Sequence, residues 1–228
     1  MAPADLSGSG PAPAGPDSAR ERIIEAFMAL LAEKPFERIG FAEIATRAST
    51  TLADLRGEFN STLAILAAWF KQVDRAVLRG VDTDMAGEPP RERLFDVLMQ
   101  QIEVLTPHKA AVRSLQRSTA CNPGLAMAIN ALAVRSQQWM LTAAGISAAG
   151  PRGMLRAQGL AVLFASALRT WVDDDDPGLA RTMAALDRAL ARGQRCSALL
   201  DDLLALPGRV LGRRRRPRDR GGEETVTA

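Results

Sequence analysis

Apolar residues recur at every third or fourth position along most of the 228-residue chain, and this spacing most constrains the fold. The first such run contains Ile23, Ile24, Phe27, Leu30 and Leu31. Because a helix turns once in 3.6 residues, this spacing places the apolar side chains on one face. Strands favour aromatic residues, which make up only 4% of the chain. The sequence therefore predicts an all-α protein of about nine helices and no strand.

The breaks between helices fall at residues that end or cap helices. Pro35 disfavours helical geometry at Lys34, so the first helix should end there. Thr51 is placed to cap a short helix over Leu52–Glu58. In the same way, Asp176 followed by Pro177 predicts the start of the last helix.

The positive charge is concentrated at the C-terminus. The last twenty residues hold seven of the 29 basic and three of the 26 acidic residues, which leaves 22 basic and 23 acidic residues in 1–208. The body is therefore almost neutral. The Arg-rich run 213–216 is interpreted as a solvated tail, with contact to DNA or to an acidic membrane surface as the alternative.

Several kinds of site have no support in the residues. The sequence has no run of about 18 apolar residues, so no membrane span is predicted. Cys121 and Cys196 form no C-x-x-C pair, which fits a reducing cytoplasm. The run Asp173–Asp176 lacks the spacing of a calcium loop, and His108 has no evident nucleophile as a partner. We expect a cytoplasmic protein that is not an enzyme, with no catalytic site, no metal site and no cofactor.

Between Arg22 and Leu66 the helix-forming runs and turns follow one another in a specific order. In sequence they are Ile23-Ile24-Glu25-Ala26, Pro35-Phe36, Phe41-Ala42-Glu43-Ile44-Ala45, Leu55 to Phe59, and Asn60-Ser61. This segment resembles the N-terminal domain of TetR-family (tetracycline-repressor-type) transcription regulators. The resemblance implies a three-helix helix-turn-helix domain, followed by a C-terminal helical domain for ligand binding and dimerisation.

On this basis the chain divides into four parts. Residues 1–16, rich in Ala, Pro and Gly, are predicted to be a disordered leader. Residues 17–80 form the helix-turn-helix domain with its connecting fourth helix, and residues 81–206 form the regulatory and dimerisation domain. Residues 207–228 form the basic, disordered tail.

The start of a recognition helix reaches base edges in a major groove, so the resemblance places the DNA contacts around the turn. The candidate contacts are Arg47, Thr50, Thr51, Leu52, Arg56, Ser61 and Thr62. The alternative is that these residues cap and solvate a surface helix. Residues 41–59 contain Arg47 and Arg56 against three acidic residues, which is little positive charge for binding phosphates.

Two further sets of residues are predicted in the C-terminal domain. A ligand pocket would be lined by Met99, Ile102, Arg135, Gln138, Trp139 and Phe164, with a filled core as the alternative. A homodimer interface would use Leu168, Trp171, Leu179, Met183, Leu186 and Leu190. The last four recur at spacings of four, three and four, which suits helix pairing.

Together these features predict a TetR-like regulator that binds operator DNA as a homodimer and responds to a small apolar ligand of unknown identity. The alternative function is a TetR-fold accessory protein that binds lipid or another hydrophobic ligand and has lost DNA binding. The charge deficit of residues 41–59 favours the alternative, whereas the spacing from Ile44 to Phe59 favours the regulator.

Overall fold

A computed structural model describes residues 18–81 and 87–193, which form α-helices, short 3₁₀ turns and no strand. Residues 180–193 are helical up to the end of the described chain and are called α9. The predicted leader and basic tail lie outside the described residues. The other helices are α1 (Ala19–Glu33), α2 (Phe41–Arg47), α3 (Leu52–Glu58), α4 (Thr62–Gly80), α5 (Pro90–Leu105), α6 (Lys109–Cys121), α7 (Pro123–Ala143) and α8 (Gly150–Trp171).

Side-chain caps fix the starts of several helices. The Ser18 hydroxyl accepts a hydrogen bond from the Glu21 amide at 3.1 Å, and Ser61 caps α4 by accepting from the Ala64 amide at 3.0 Å. Such bonds satisfy amide groups that the first turn of a helix leaves without a partner. The predicted end of α1 before Pro35 and the predicted range of α3, Leu52–Glu58, are confirmed because these signals are local.

The start of the last helix was predicted wrongly. Asp176 does not cap it at Pro177: the Asp176 carboxylate accepts from the Gly178 and Ala180 amides at 3.3 and 3.2 Å and closes a turn. Leu179 then has a φ of 50°, a left-handed conformation that a helix does not continue through. Helix α9 therefore begins at residue 180.

Helix α1 lies at the centre of the N-terminal helices, with Ile23, Phe27 and Leu31 fully buried. Helix α4 packs on α1 and also on α5 and α7, so it joins the N-terminal helices to the remainder of one continuous core. Helix α6 packs along α1, and its Ser114 hydroxyl donates to the Lys34 carbonyl at 3.0 Å. No helix in the described residues is long and apolar enough to cross a bilayer.

Candidate nucleic-acid interface

Helix α3 has a rigid start because Thr51 and Asp54 form a capping box. Thr51 Oγ1 accepts from the Asp54 amide at 3.1 Å, and Asp54 Oδ2 accepts from the Thr51 amide at 3.4 Å and from the Thr51 hydroxyl at 2.7 Å. These bonds to Thr51 lower the pKa of Asp54 below its ordinary value, so the carboxylate that closes the box stays ionised. Reciprocal bonds of this kind stabilise a seven-residue helix that would be marginal alone.

The inner face of α3 is fixed by packing. Leu55 and Phe59, four residues apart on one side of α3, are buried. Ile44 and Ala45 on α2 are buried as well. The Arg20 guanidinium lies over the Phe59 ring, 4.4 Å from its centroid, and closes the packing from the side of α1. Helix α3 is therefore held against both neighbouring helices.

One exposed flank of α3 carries Leu52 and Arg56. The two are four residues apart and share a side of the helix, and Leu52 is 55% exposed. Arg56 Nη1 donates to Asn60 Oδ1 at 2.5 Å, which orients the guanidinium along this flank. An apolar side chain and an oriented guanidinium are the groups that contact thymine methyls and guanine edges in a major groove.

The other exposed flank of α3 is acidic. It carries Asp54 and Glu58, and between the two flanks lie the small residues Ala53 and Gly57. An open cleft of about 840 Å³ adjoins this flank, bounded by the first turn of α1, the end of α2 and the turn. A β-carbon added at Gly57 would meet no atom within 4 Å, so the centre of the outer surface is free for close approach.

Carboxylates neutralise several basic side chains around the turn. One of them is Arg47, which pairs with Glu33. The hydrogen bond between the two is the main cause that lowers the pKa of Glu33 and raises the pKa of Arg47. Both groups are therefore ionised at neutral pH. The three pairs are Arg47 Nη2 to Glu33 Oε1 at 2.7 Å, Arg20 Nη1 to Glu58 Oε2 at 3.2 Å, and Lys34 to Glu43.

The predicted DNA-contact residues lie at three neighbouring places. Arg47 ends α2, Thr50 to Arg56 span the turn and α3, and Ser61 and Thr62 begin α4. Two hydroxyls in this set, those of Thr51 and Ser61, are already used as helix caps. Leu52 and Arg56 are the side chains that project from α3 without such a structural bond to the backbone.

Solved structures with the same arrangement of helices identify the fold. A TetR transcriptional regulator from Nitrosomonas europaea ATCC 19718 is 20% identical, with a TM-score of 0.61 over 78% of this chain and 99% of that one. This chain has the TetR-type fold. A TetR transcriptional regulator from Rhodococcus sp. RHA1 has 21% identity and a TM-score of 0.52 over 77% of this chain and 95% of its own. A tetR-family regulator from Streptomyces coelicolor has 18% identity and a TM-score of 0.52 over 86% and 92%.

No family model and no curated protein matches the sequence. The similarity therefore lies in the helix arrangement of the TetR-type fold. At these identities the residues of each site have to be judged from the contacts of this chain.

In this TetR-type fold the predicted pocket residues do not share one surface. Ile102 and Phe164 are buried and Met99 and Gln138 half-buried, whereas Arg135 and Trp139 are exposed, Trp139 by 53%. Buried and exposed side chains on α7 point in different directions. A second open cleft, of about 790 Å³, lies between the end of α1 and α6 and contains none of the predicted pocket residues.

The predicted dimer residues are mostly inside the protomer. Trp171, Leu186 and Leu190 are buried within the single chain, Leu168 and Leu179 are half-buried, and Met183 is 39% exposed. Most of these side chains pack within the single chain, and their spacing does not describe a free surface. Helix α8 has a different exposed stripe, formed by Leu155, Gly159 and Val162, with Leu155 and Val162 half or more exposed.

A buried polar chain joins α4, α5 and α7, and sequence reasoning missed it. Gln137 Nε2 donates to Gln101 Oε1 at 3.2 Å, Gln101 Nε2 donates to Ser136 Oγ at 3.1 Å, and Ser136 donates to Asp74. Burial raises the pKa of Asp74, and the Ser136 bond only partly opposes this. The available signal was a carboxyl at position 74 beside Val73 and Val77 on the apolar face of α4.

The acidic run before α9 is occupied by partners within the chain. Asp173 and Asp175 lie 3.2 and 3.5 Å from Arg113 and Lys109 of α6. Asp174 is buried and accepts from the Thr182 amide and hydroxyl at 2.9 and 2.6 Å, which lowers its pKa. Within residues 18–81 and 87–193, no cluster of three or more side chains could hold a metal ion.

Proposed function

We propose that this protein is a cytoplasmic transcription regulator that binds operator DNA as a homodimer and is modulated by a small ligand. The observation that carries the proposal is the exposed Leu52–Arg56 flank on a capped and firmly packed α3. Recognition helices dock in a major groove through residues at their start. Leu52 is the first residue of α3, and Arg56 lies one turn further along the same flank.

The DNA contacts follow from this placement. Leu52 would contact a thymine methyl and Arg56 would donate to guanine O6 and N7. Thr50 and Thr62, at the turn and at the start of α4, would face the flanking phosphates. In a homodimer two copies of α3 would read a palindrome whose half-sites are about one helical turn apart.

For the dimer we propose the exposed stripe of α8. Leu155, Gly159 and Val162 are spaced by four and three residues, and the glycine permits close approach of a second helix. Exposed Met183 on α9 would extend the same interface. This assignment replaces the buried residues of α9, which have no free surface to offer.

Ligand modulation would act through α4, which packs on the N-terminal helices and on α5 and α7. Residues 17–80 would move as the DNA-binding unit relative to 81–206. A ligand lodged among α4, α5 and α7 would meet apolar Ile102 and the buried amide oxygen of Gln137, which has no hydrogen-bond partner among the described residues. A molecule with an apolar body and one hydrogen-bond donor fits these groups.

The test is selection of bound DNA from a fragmented genome, followed by footprinting of the recovered site. Protection of two half-sites, centred about 10–11 base pairs apart or a multiple of that, is expected. Failure to enrich any sequence at low salt would contradict the proposal.

An accessory protein that binds a hydrophobic ligand and no DNA is the second candidate. The three ion pairs around the turn favour it, because they neutralise cations that DNA binding uses. Extraction of a bound lipid or other apolar molecule from the purified protein, together with a failed DNA selection, would decide for it.

A further inference from the structure

Half of the basic side chains in residues 18–62 are held by carboxylates. Of the six, Arg20, Lys34 and Arg47 lie in ion pairs with glutamates. Among the described residues no carboxylate pairs with Arg22, Arg38 or Arg56. The pairs join separate helices, so their partners stay together without DNA.

A phosphate and a carboxylate compete for the same guanidinium or ammonium group. A glutamate beside the cation cancels most of its charge, so a phosphate that approaches the pair gains less attraction than it would from a free cation. Non-specific DNA binding depends almost wholly on phosphate contacts, whereas base contacts add specific affinity on top of them. Base contacts hold a specific complex in one register, whereas a non-specific complex can shift until a released cation meets a phosphate. Paired cations therefore weaken non-specific binding by a larger factor than specific binding.

We propose that Glu33, Glu43 and Glu58 determine DNA specificity by withholding Arg47, Lys34 and Arg20 from phosphates. This inference rests on the proposed function and adds a role for acidic residues that do not contact DNA. The Leu52–Arg56 flank, which carries no carboxylate, is left to recognise the bases. Specific binding then depends on thymine and guanine contacts more than on backbone charge.

The position and exposure of the Arg47–Glu33 pair make it the best of the three ion pairs to test. Arg47 is the last residue of α2, directly before the turn, and its partner lies on another helix. Both side chains are partly exposed, 39% and 53%, so DNA can reach the pair. Glu33→Gln keeps the size of the side chain and removes the charge that holds Arg47.

The experiment measures binding of the full-length protein to its selected operator and to a scrambled duplex, between 50 and 300 mM KCl. For Glu33→Gln we expect scrambled-duplex affinity to rise roughly two- to thirty-fold, since a dimer holds two pairs. The operator affinity should rise less, so the specificity ratio falls. The slope of log affinity against log salt should steepen by about one to two units.

Glu25→Gln is the matched control. Glu25 is an exposed glutamate on the same helix, and no described residue forms an ion pair with it. This variant loses the same charge without releasing a cation, so its slope should stay at the wild-type value. Melting temperatures of both variants verify that they are folded.

Equal slopes and equal specificity ratios for Glu33→Gln, Glu25→Gln and wild type would overturn the inference while operator binding stands. A protein that binds neither duplex in any variant at 50 mM KCl would overturn the proposed function, and the inference with it. A lower specificity ratio in Glu33→Gln alone supports the inference.

Discussion

Gly153→Ala tests how closely α8 packs on the segment that leads into it. A β-carbon at Gly153 would lie 2.1 Å from the carbonyl carbon of Ala148 and 2.2 Å from its oxygen. Ordinary contacts begin near 3.4 Å, so one backbone segment must move by more than an ångström. Because the obstacle is backbone, no side-chain rotation relieves it.

The expected cost follows from two opposed effects. Overpacking of a tight site costs about 1–3 kcal/mol and sometimes more. Alanine in place of glycine returns up to about 1 kcal/mol of helix propensity. Because Gly153 is buried and the approach is so close, we expect a net loss of about 2 kcal/mol, a fall in melting temperature of roughly 4–8 °C.

Gly57→Ala is the control. Gly57 is also a helical glycine, but a β-carbon there meets nothing within 4 Å, so only the gain in helix propensity applies. Its melting temperature should rise by a few degrees. Gly159 has the same open surroundings but lies on the proposed dimer stripe, which makes it a poorer control. Thermal unfolding followed by circular dichroism at one protein concentration compares the variants. If Gly153→Ala melts at or above the wild-type temperature while Gly57→Ala is stabilised, the packing argument is wrong.

Three further results are expected. Arg56→Ala should weaken operator binding by about 1–3 kcal/mol in a titration and relax the base preference at one position; undiminished binding, with binding lost on deletion of residues 213–228, would show that the reading surface lies elsewhere. Val162→Asp should give a monomer in sedimentation, because it places a charge on the exposed stripe of α8, and a persisting dimer would exclude this stripe as the interface. Burial raises the pKa of Asp74, so its carboxyl group stays protonated to a higher pH in the folded protein than in the unfolded chain. Stability therefore falls as the pH rises from the pKa of the unfolded chain to that of the folded protein. Asp74→Asn should therefore have a free energy of unfolding about 1–3 kcal/mol above that of wild type at pH 7, and this difference should shrink towards pH 4. A constant difference over this range would contradict the assignment.

The sequence by itself determined the features that depend on neighbours within one or two helical turns. Thr51 caps α3 through the amide three residues further on, and the buried residues Leu55 and Phe59 are four residues apart. Partners this close can be identified along the chain. The same holds for the end of α1 before Pro35. The all-helical fold follows from such signals taken together.

Tertiary structure decided which molecule or helix covers each apolar face and which charges meet. The spacing of Leu186 and Leu190 defines a face, but only packing shows that the same chain buries it. Glu33 meets Arg47, and Asp74 meets Ser136, because the separate helices that carry them pack together at those points. Helical periodicity gives the direction in which a side chain leaves the helix axis. It contains no information about which helix or molecule packs against that side chain. The ion pairs around the turn and the buried polar chain could therefore be found only from the packed helices.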